Sequence, residues 1–440
     1  MEVIHPRCAG IDVSKRDAKV CVRIQGSGRK ATSSTVTTWT SMTSSILALR
    51  EHLIAERVTC VVIESTAAYW KPFYFLLDDA LNVMLVNARH VRNVPGRKTD
   101  VSDAAWLAEL GAHGLVRASF VPPEPIRVLR DLTRARSTIA GARTKEIRRL
   151  ETLLEDAGIK LSSVACEITG VSGREMLEAL IAGQRDPAVL ADLAKRQLRK
   201  KIPALTEALQ GRFNDHHAFM VRLYLDRIDA HEADIARLDA RIEEETQPFQ
   251  PARDLLVSIP GWSQIVADVF IAETGADMSV FPTAEHLASW AGVSPGSNES
   301  AGRIKSAKTL PGNRHLKAAL GVAALSASRS TNTYFGARFR RIAGRRPARP
   351  GTKKSRRQSA AGQTAVVALE HKMLTCAWHM LVNGTFYQDR PRLLHPTPPR
   401  ENQIQGHQTT PSPRIQRHTR TPHPSRLTPV HSPLTTSWSP

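Results

Sequence analysis

The run VTCVVIEST at residues 58–66 constrains the fold more than any other stretch of the chain. It is short, almost wholly apolar and β-branched, the pattern of a central strand covered on both faces. Such a strand needs neighbours in a sheet and helices above and below it. Residues 8–24, CAGIDVSKRDAKVCVRI, supply the first neighbours: an apolar run ending at Asp12, a polar turn from Ser14 to Asp17, and a second alternating run. Residues 42–56 read as a helix, and NVMLVNARHV at 82–91 reads as another buried strand. Strands alternating with helices predict an α/β layer fold for a first domain at residues 1–125.

The period changes after Ile126. Residues 126–159 and 220–245 space apolar residues helically among many charges, predicting two long exposed helices in a coiled-coil or antiparallel middle region at 126–248. Between them, residues 160–212 form an insert of helical patches broken by Gly and Pro, to which the sequence assigns no function. A mostly α-helical C-terminal domain is expected at 249–385. It begins with an apolar helix that breaks at Ile-Pro-Gly (259–261) and restarts, a hairpin that reads equally as a phosphate-facing turn or as core packing. It continues as helix, a long Gly/Ser/Asn/Lys loop, and helix through residues 284–328, and ends in an amphipathic helix at 364–381. The tail at 386–440 is expected to be disordered: residues 391–440 hold 11 of the 27 prolines and a single acidic residue, Glu401. It reads either as a basic arm or as an unselected extension.

Charge narrows the class of partner. The chain carries a net charge of +20, and residues 301–357 alone hold 16 Lys or Arg and no Asp or Glu. A solvated helix face mixes signs, so a one-sign block of this length predicts a phosphate-contacting surface for nucleic acid. A membrane is not expected: no transmembrane run is present, and the basic block lacks an apolar face with aromatic anchors. Five scattered cysteines without a C-x-x-C pair point to reduced thiols in a cytosol, and the N-terminus does not read as a secretory signal, so a cytoplasmic protein is expected.

Four carboxylates stand in telling places. Asp12 and Glu64 end two central strands. Asp100 and Asp103 lie three apart at an expected helix start, in GRKTDVSDAAWLAEL. Each has an ordinary reading as turn former, strand-end residue or helix cap. Together they form a set of hard oxygen donors suited to Mg²⁺ or Mn²⁺, and a pair of such ions clamps the attacking and leaving oxygens of phosphoryl transfer.

The blocks GIDVSK, VVIEST and RKTDVSDAAWLAEL resemble those of the IS110-family transposases, as does LASWAGVSPGSNESAGRIKS with LPGNRHLKAAL. The resemblance implies an RNase H/RuvC-like N-terminal domain whose DEDD tetrad falls on Asp12, Glu64, Asp100 and Asp103. It also implies a second, transposase domain whose nucleophilic serine falls on Ser300 in NESAG. Ser300 would be activated when its loop inserts into the acidic site, giving a covalent 5′-phosphoserine and strand exchange rather than hydrolysis. The resemblance implies in addition a guide (bridge) RNA pairing with donor and target DNA, and a homo-oligomer, dimer or tetramer, is expected from the long helices. Arg97, Lys98, Arg303, Lys305, Lys308, Arg314 and Lys317 are the candidate nucleic-acid contacts. The piece around 341–357 looks inserted relative to the family, and the tail after about 390 matches nothing in it. Three other readings stay open: a RuvC-like structure-specific nuclease without a covalent serine intermediate, an inactive nucleic-acid binder, and a sugar-kinase or actin-like ATPase. The last would need Gly-rich phosphate loops, for which IQGSGRK (24–30) is a weak candidate.

Overall fold

The computed structural model describes residues 2–27, 31–65, 67–88, 91, 94, 102–296, 298–300, 303–306, 308–344 and 354–389, with the backbone alone at 298–300, 303–306 and 354–361. Five strands form one mixed sheet: β1 (Arg7–Val13), β2 (Asp17–Ile24), β3 (Ser33–Thr40), β4 (Cys60–Glu64) and β5 (Val83–Val86). Their order is β3-β2-β1-β4-β5. β1 pairs with β4, and β4 with β5, in parallel, while β2 runs antiparallel to both β1 and β3. The tight β1–β2 turn is closed by Ser14, whose hydroxyl donates to Asp17 Oδ1 at 2.6 Å. Strand β3, not expected from the sequence, is largely exposed, so its Thr-rich pattern shows no buried face. Strand β5 is only four residues long, shorter than the expected run 82–91.

The pleat sorts the strand residues onto two faces. Ala9, Ile11, Val13, Val61, Ile63 and Leu85 pack with Ile46, Leu49 and Leu53 of α1 (Thr43–Ala55) and Phe73 and Leu77 of α2 (Trp70–Leu77). Cys8, Cys60, Val62 and Val86 pack under Trp106, Leu107 and Leu110 of α3 (Asp103–Ala112). The contact with α3 is backbone-close: a Cβ placed on Gly10 would lie 2.1 Å from the Ala104 carbonyl oxygen and 2.3 Å from the Ala108 nitrogen. Only glycine allows the helix to cross β1 this tightly.

Two long helices follow, α4 (Glu124–Asp156) and α9 (Asp215–Thr246). Ion pairs between Arg136 and Asp239, Arg143 and Glu232, and Arg227 and Glu146 climb one helix as they descend the other, so the pair is antiparallel. The insert is not a loop. Its helices α5 (Leu161–Val164), α6 (Val171–Ile181), α7 (Pro187–Asp192) and α8 (Ile202–Ala208), with a 3-10 turn at Arg196–Lys201, close a separate core around Met176, Leu177, Leu190, Leu205 and Leu225.

The C-terminal part is built from α10 (Gln250–Val257), α11 (Gln264–Thr274), α12 (Ala284–Ala291), α13 (Arg314–Ser328), α14 (Tyr334–Gly344) and α15 (Lys354–Asn383). Phe270, Leu287, Leu320, Phe335 and Leu374 anchor its core. The hairpin at Ile259-Pro260-Gly261 belongs to that core: Gly261 has φ +90°, and an added Cβ would meet the Ala323 carbonyl oxygen at 2.5 Å. The expected loop between α12 and α13 is instead a two-stranded antiparallel ribbon, β6 (Asn298–Ser300) with β7 (Arg303–Ser306), and Ser300 pairs with Arg303 beside the turn. A run of small and polar residues with no apolar alternation gave no strand signal. Part of the segment 341–357 continues α14 and begins α15; residues 345–353 and the tail from 390 lie outside the described residues.

Candidate active site

Asp12 and Glu64 sit side by side at one end of the sheet. Ile11 is in register with Ile63 on the neighbouring parallel strand, so the next residue of each strand is the carboxylate. Two residues on from Gly10 and Val62 respectively, both carboxylates belong to the face covered by α3. There α3 brings in Asp103, its first residue. The proximity is electrostatic as well as topological. Burial pushes the Asp12 carboxyl above its ordinary range, and the Asp103 charge raises it further, against a lowering by Lys19, which pairs with Asp12 across β1–β2. Like charges held this close are the arrangement that a bound cation relieves.

The cap of α3 is a residue the sequence reading did not single out. Ser102, in extended conformation, accepts the Ala105 N–H through its hydroxyl, and Asp103 opens the first turn. Asp103 is therefore not spent on capping. Asp100, Arg97 and Lys98 lie outside the described residues. Among the described residues no group of three or more His, Cys, Asp or Glu is gathered for a metal ion.

Ser300 lies in the basic domain, near the tip of the β6–β7 ribbon, where Arg303 and Lys305 belong to β7. The base of the ribbon is closely built. Pro295 bridges to Thr309, and Gly296 N–H donates to the Lys308 carbonyl at 3.1 Å. Gly292, with φ +75°, lies against Gly312, where an added Cβ would meet the Gly292 nitrogen at 2.3 Å. The Lys317 ammonium donates to the Gly292 carbonyl and to Thr309 Oγ1, both at 3.0 Å, so it serves to hold this base together. Lys308 is exposed, as is Arg314, whose Nε donates to His315 Nε2 at 3.2 Å. Burial and the Arg134 charge lower the His315 pKa, so this imidazole is neutral at neutral pH.

Behind the ribbon is a buried polar network that the sequence did not reveal. Glu273, fully buried in α11, accepts two hydrogen bonds of 2.8 Å from Arg134 of α4 and one of 2.7 Å from Asn313. Asn313 also caps α13, accepting the His315 and Leu316 N–H groups. Burial pushes the Glu273 carboxyl up, but the Arg134 and Asn313 hydrogen bonds and the Arg134 and Arg130 charges outweigh it and hold the group below its ordinary range. The capping signal PGNRHL was visible in the sequence; its partner forty residues earlier was not.

Comparison with known proteins agrees in both halves. Residues 9–159 match the IS110-type DEDD transposase profile, described as "Transposase", and residues 253–340 match the "Transposase IS116/IS110/IS902 family". The chain is 26% identical over 415 residues to the insertion element IS900 uncharacterized 42 kDa protein of Mycobacterium paratuberculosis, covering 87% of this chain and 97% of that one. It is 27% identical over 327 residues to the insertion element IS110 uncharacterized 43.6 kDa protein of Streptomyces coelicolor, covering 67% of this chain and 74% of that one. No described helix is long and apolar enough to cross a membrane. With the first match spanning the sheet and its three described carboxylates and the second spanning the serine ribbon, the chain belongs to the IS110 family of transposases and is a DNA-processing enzyme.

Proposed function

We propose that this transposase cuts and rejoins DNA through a covalent serine intermediate, with a RuvC-like acidic site as its metal-dependent half. The observation that carries the reading is the place of Asp12 and Glu64 at the ends of adjacent parallel strands, with the Asp103 charge acting on Asp12. The strand order, with β2 alone antiparallel, supports the RNase H/RuvC-like assignment. The donor set is all carboxylate, which fits Mg²⁺ or Mn²⁺ and does not fit a soft metal. Asp12, Glu64 and Asp103, with Asp100, would hold the ion, and the ion supplies charge neutralisation at the reacting phosphate.

Ser300 is the nucleophile in this reading. Its Oγ attacks the scissile phosphorus, a P–O bond to the serine forms, the bond to the 3′-oxygen breaks, the serine proton passes to solvent and the leaving 3′-oxygen takes one up from solvent. A 5′-phosphoserine remains; a second 3′-hydroxyl then attacks its phosphorus and gives its proton to solvent, the bond to the serine breaks, and Oγ is reprotonated. The position of Ser300 beside the turn of a ribbon within a one-sign basic block supports its presentation to a bound strand. Arg303, Lys305, Lys308 and Arg314 are the proposed phosphate contacts there, with Arg97 and Lys98 beside the acidic site. The family resemblance supports a guide RNA, and the long α4–α9 pair, as a coiled coil, supports association into a dimer or tetramer.

The test is the fate of a DNA strand. Incubated with Mg²⁺, RNA transcribed from the element's non-coding end and a duplex carrying the element end, the enzyme is expected to give a covalent protein–DNA adduct that Ser300→Ala and Asp12→Asn both abolish. Hydrolytic nicking that survives Ser300→Ala would replace this reading by the RuvC-like structure-specific nuclease.

A further inference from the structure

A cleft of about 440 Å³, walled by α4, α9, α11 and α13, has no part in the proposed reaction. Its size is that of a small-molecule site. The walls are mostly apolar, with Ile242, Val266 and Val269 among them. Ile265 of α11 and Ala318 and Val322 of α13 form its exposed edge.

Polar groups stand at two levels of this cleft. Asp268, only 4% exposed, lines its deep part. The Arg253 guanidinium donates to Asp268 Oδ2 at 3.1 Å. Arg253 Nε also lies 2.8 Å from Oδ1, but it is not aligned to donate, so this buried oxygen accepts no hydrogen bond among the described residues. Such an acceptor carries a standing cost until a donor reaches it. At the mouth, the exposed Arg314 donates to the His315 ring and not to a carboxylate. The two levels are about one helical turn apart. Gly261 lies against Ala323 and Ala327, and Glu273 accepts from Asn313, so α11 and α13 run antiparallel and Asp268 is level with Ala318. Arg314 precedes Ala318 by four residues, about 6 Å along the helix axis.

Apolar walls, an unmet acceptor inside and a cation at the mouth suit a flat apolar ligand with N–H donors at one end and an anion at the other. A nucleotide with an amino-bearing base has that form. An apolar side chain of a protein partner would instead seal the Asp268 oxygen from water without a donor. The mouth belongs to the basic block at 301–357, with its 16 Lys or Arg and no Asp or Glu, so the polyanion held there is the nearest source.

We propose that this cleft receives an unpaired adenine, cytosine or guanine of the bound DNA, its amino group donating to Asp268 Oδ1 and its phosphate resting on Arg314. Extruding a base costs least where it is already unpaired, so the cleft selects bulged or opened positions. The proposal rests on the DNA-processing role of the family and on the basic block, and not on the serine chemistry.

The test mixes the full-length protein with a short DNA duplex carrying one bulged 2-aminopurine, whose fluorescence is quenched by stacking. Divalent ion is left out so that no strand is cut. The wild type is expected to raise the fluorescence several-fold, because the walls of the cleft are aliphatic. Ala318→Leu adds bulk across the mouth from an exposed helix position. It should abolish the rise and bind bulged and fully paired duplexes equally, while Ala318→Ser should keep the rise and the preference. In competition, a duplex with a bulged adenine should displace the probe about tenfold better than one with a bulged abasic site, which offers the carboxylate no donor. No rise, a rise that survives Ala318→Leu, or equal competition by the abasic duplex overturns the proposal. So does a rise with a bulged RNA duplex and none with DNA. Because the readout needs no cleavage, its failure is distinguishable from failure of the serine reaction.

Discussion

The two halves of the proposed catalytic apparatus are held in place by opposite means. At the sheet end, Asp12 and Glu64 are set by strand register, and Asp103 is brought to them by the absence of a side chain. Gly10 lets α3 lie directly on β1, which fixes where its first residue falls. At the ribbon that carries Ser300, the base and the adjoining α13 cap are held by buried charge and polar bonds, through Glu273, Asn313, Arg134 and Lys317. The first is apolar packing that tolerates almost no added volume, and the second is a polar network that tolerates no missing partner. A site assembled from both responds to different perturbations in each half.

The largest effect is expected at the polar half. Glu273→Ala leaves Arg134 and Arg130 without their buried counter-charge and Asn313 without an acceptor. It should cost about 3 kcal/mol in urea unfolding, at the lower end of the range for a broken buried pair because Arg134 is partly solvated. The same carboxyl sets a pH dependence. Its folded-state pKa is depressed, so its stabilisation is present above the ordinary glutamate range, about 4.3, and is lost as pH falls through the folded value. Acid unfolding of the wild type should therefore carry a component that Glu273→Gln removes.

Gly10→Ala attacks the packing half. Its methyl group would have to displace the α3 backbone at Ala104 and Ala108, at a cost of about 2 kcal/mol. Because the displaced element carries Asp103, DNA cleavage should fall further than the fraction folded does. A chain cleaving normally with this substitution would show that α3 does not set the site.

The smallest effect has the opposite sign. Asp12 has a raised folded-state pKa, so its ionisation weakens the fold as pH rises above the ordinary aspartate range. Without divalent cation, Asp12→Asn should raise the melting temperature by about 1–2 °C at neutral pH, since it removes a partly exposed charge conflict worth under about 1 kcal/mol. With Mg²⁺ the order should reverse, because the wild type gains stability from the ion and the variant does not. Differential scanning fluorimetry with and without the ion reads both signs.

The same contrast explains what was legible in the sequence. Asp12 and Glu64 could be read because each ends an apolar run, and a strand's period is local. The helix over 103–112 was also legible, but its Ser102 cap was not singled out. A serine hydroxyl meets the free N–H of Ala105, and that choice depends on backbone conformation at a single position. Gly10 carried no signal, since a glycine before an aspartate looks the same whether or not a helix crosses it. The ribbon was read as a loop because its short strands bury no apolar face that would alternate. Glu273 lay hidden in an apolar helix, its partners in α4 and ahead of α13 set by tertiary contacts that no local pattern encodes.

The most direct test of the central claim is to identify the residue that carries DNA. After reaction with a duplex in Mg²⁺ and digestion of both polymers, mass spectrometry of the DNA-linked peptide should place a 5′-phosphate on Ser300. Free 5′-phosphate ends with no linked peptide, or a linkage to another residue, would contradict the joining of the acidic sheet end and the serine ribbon in one reaction.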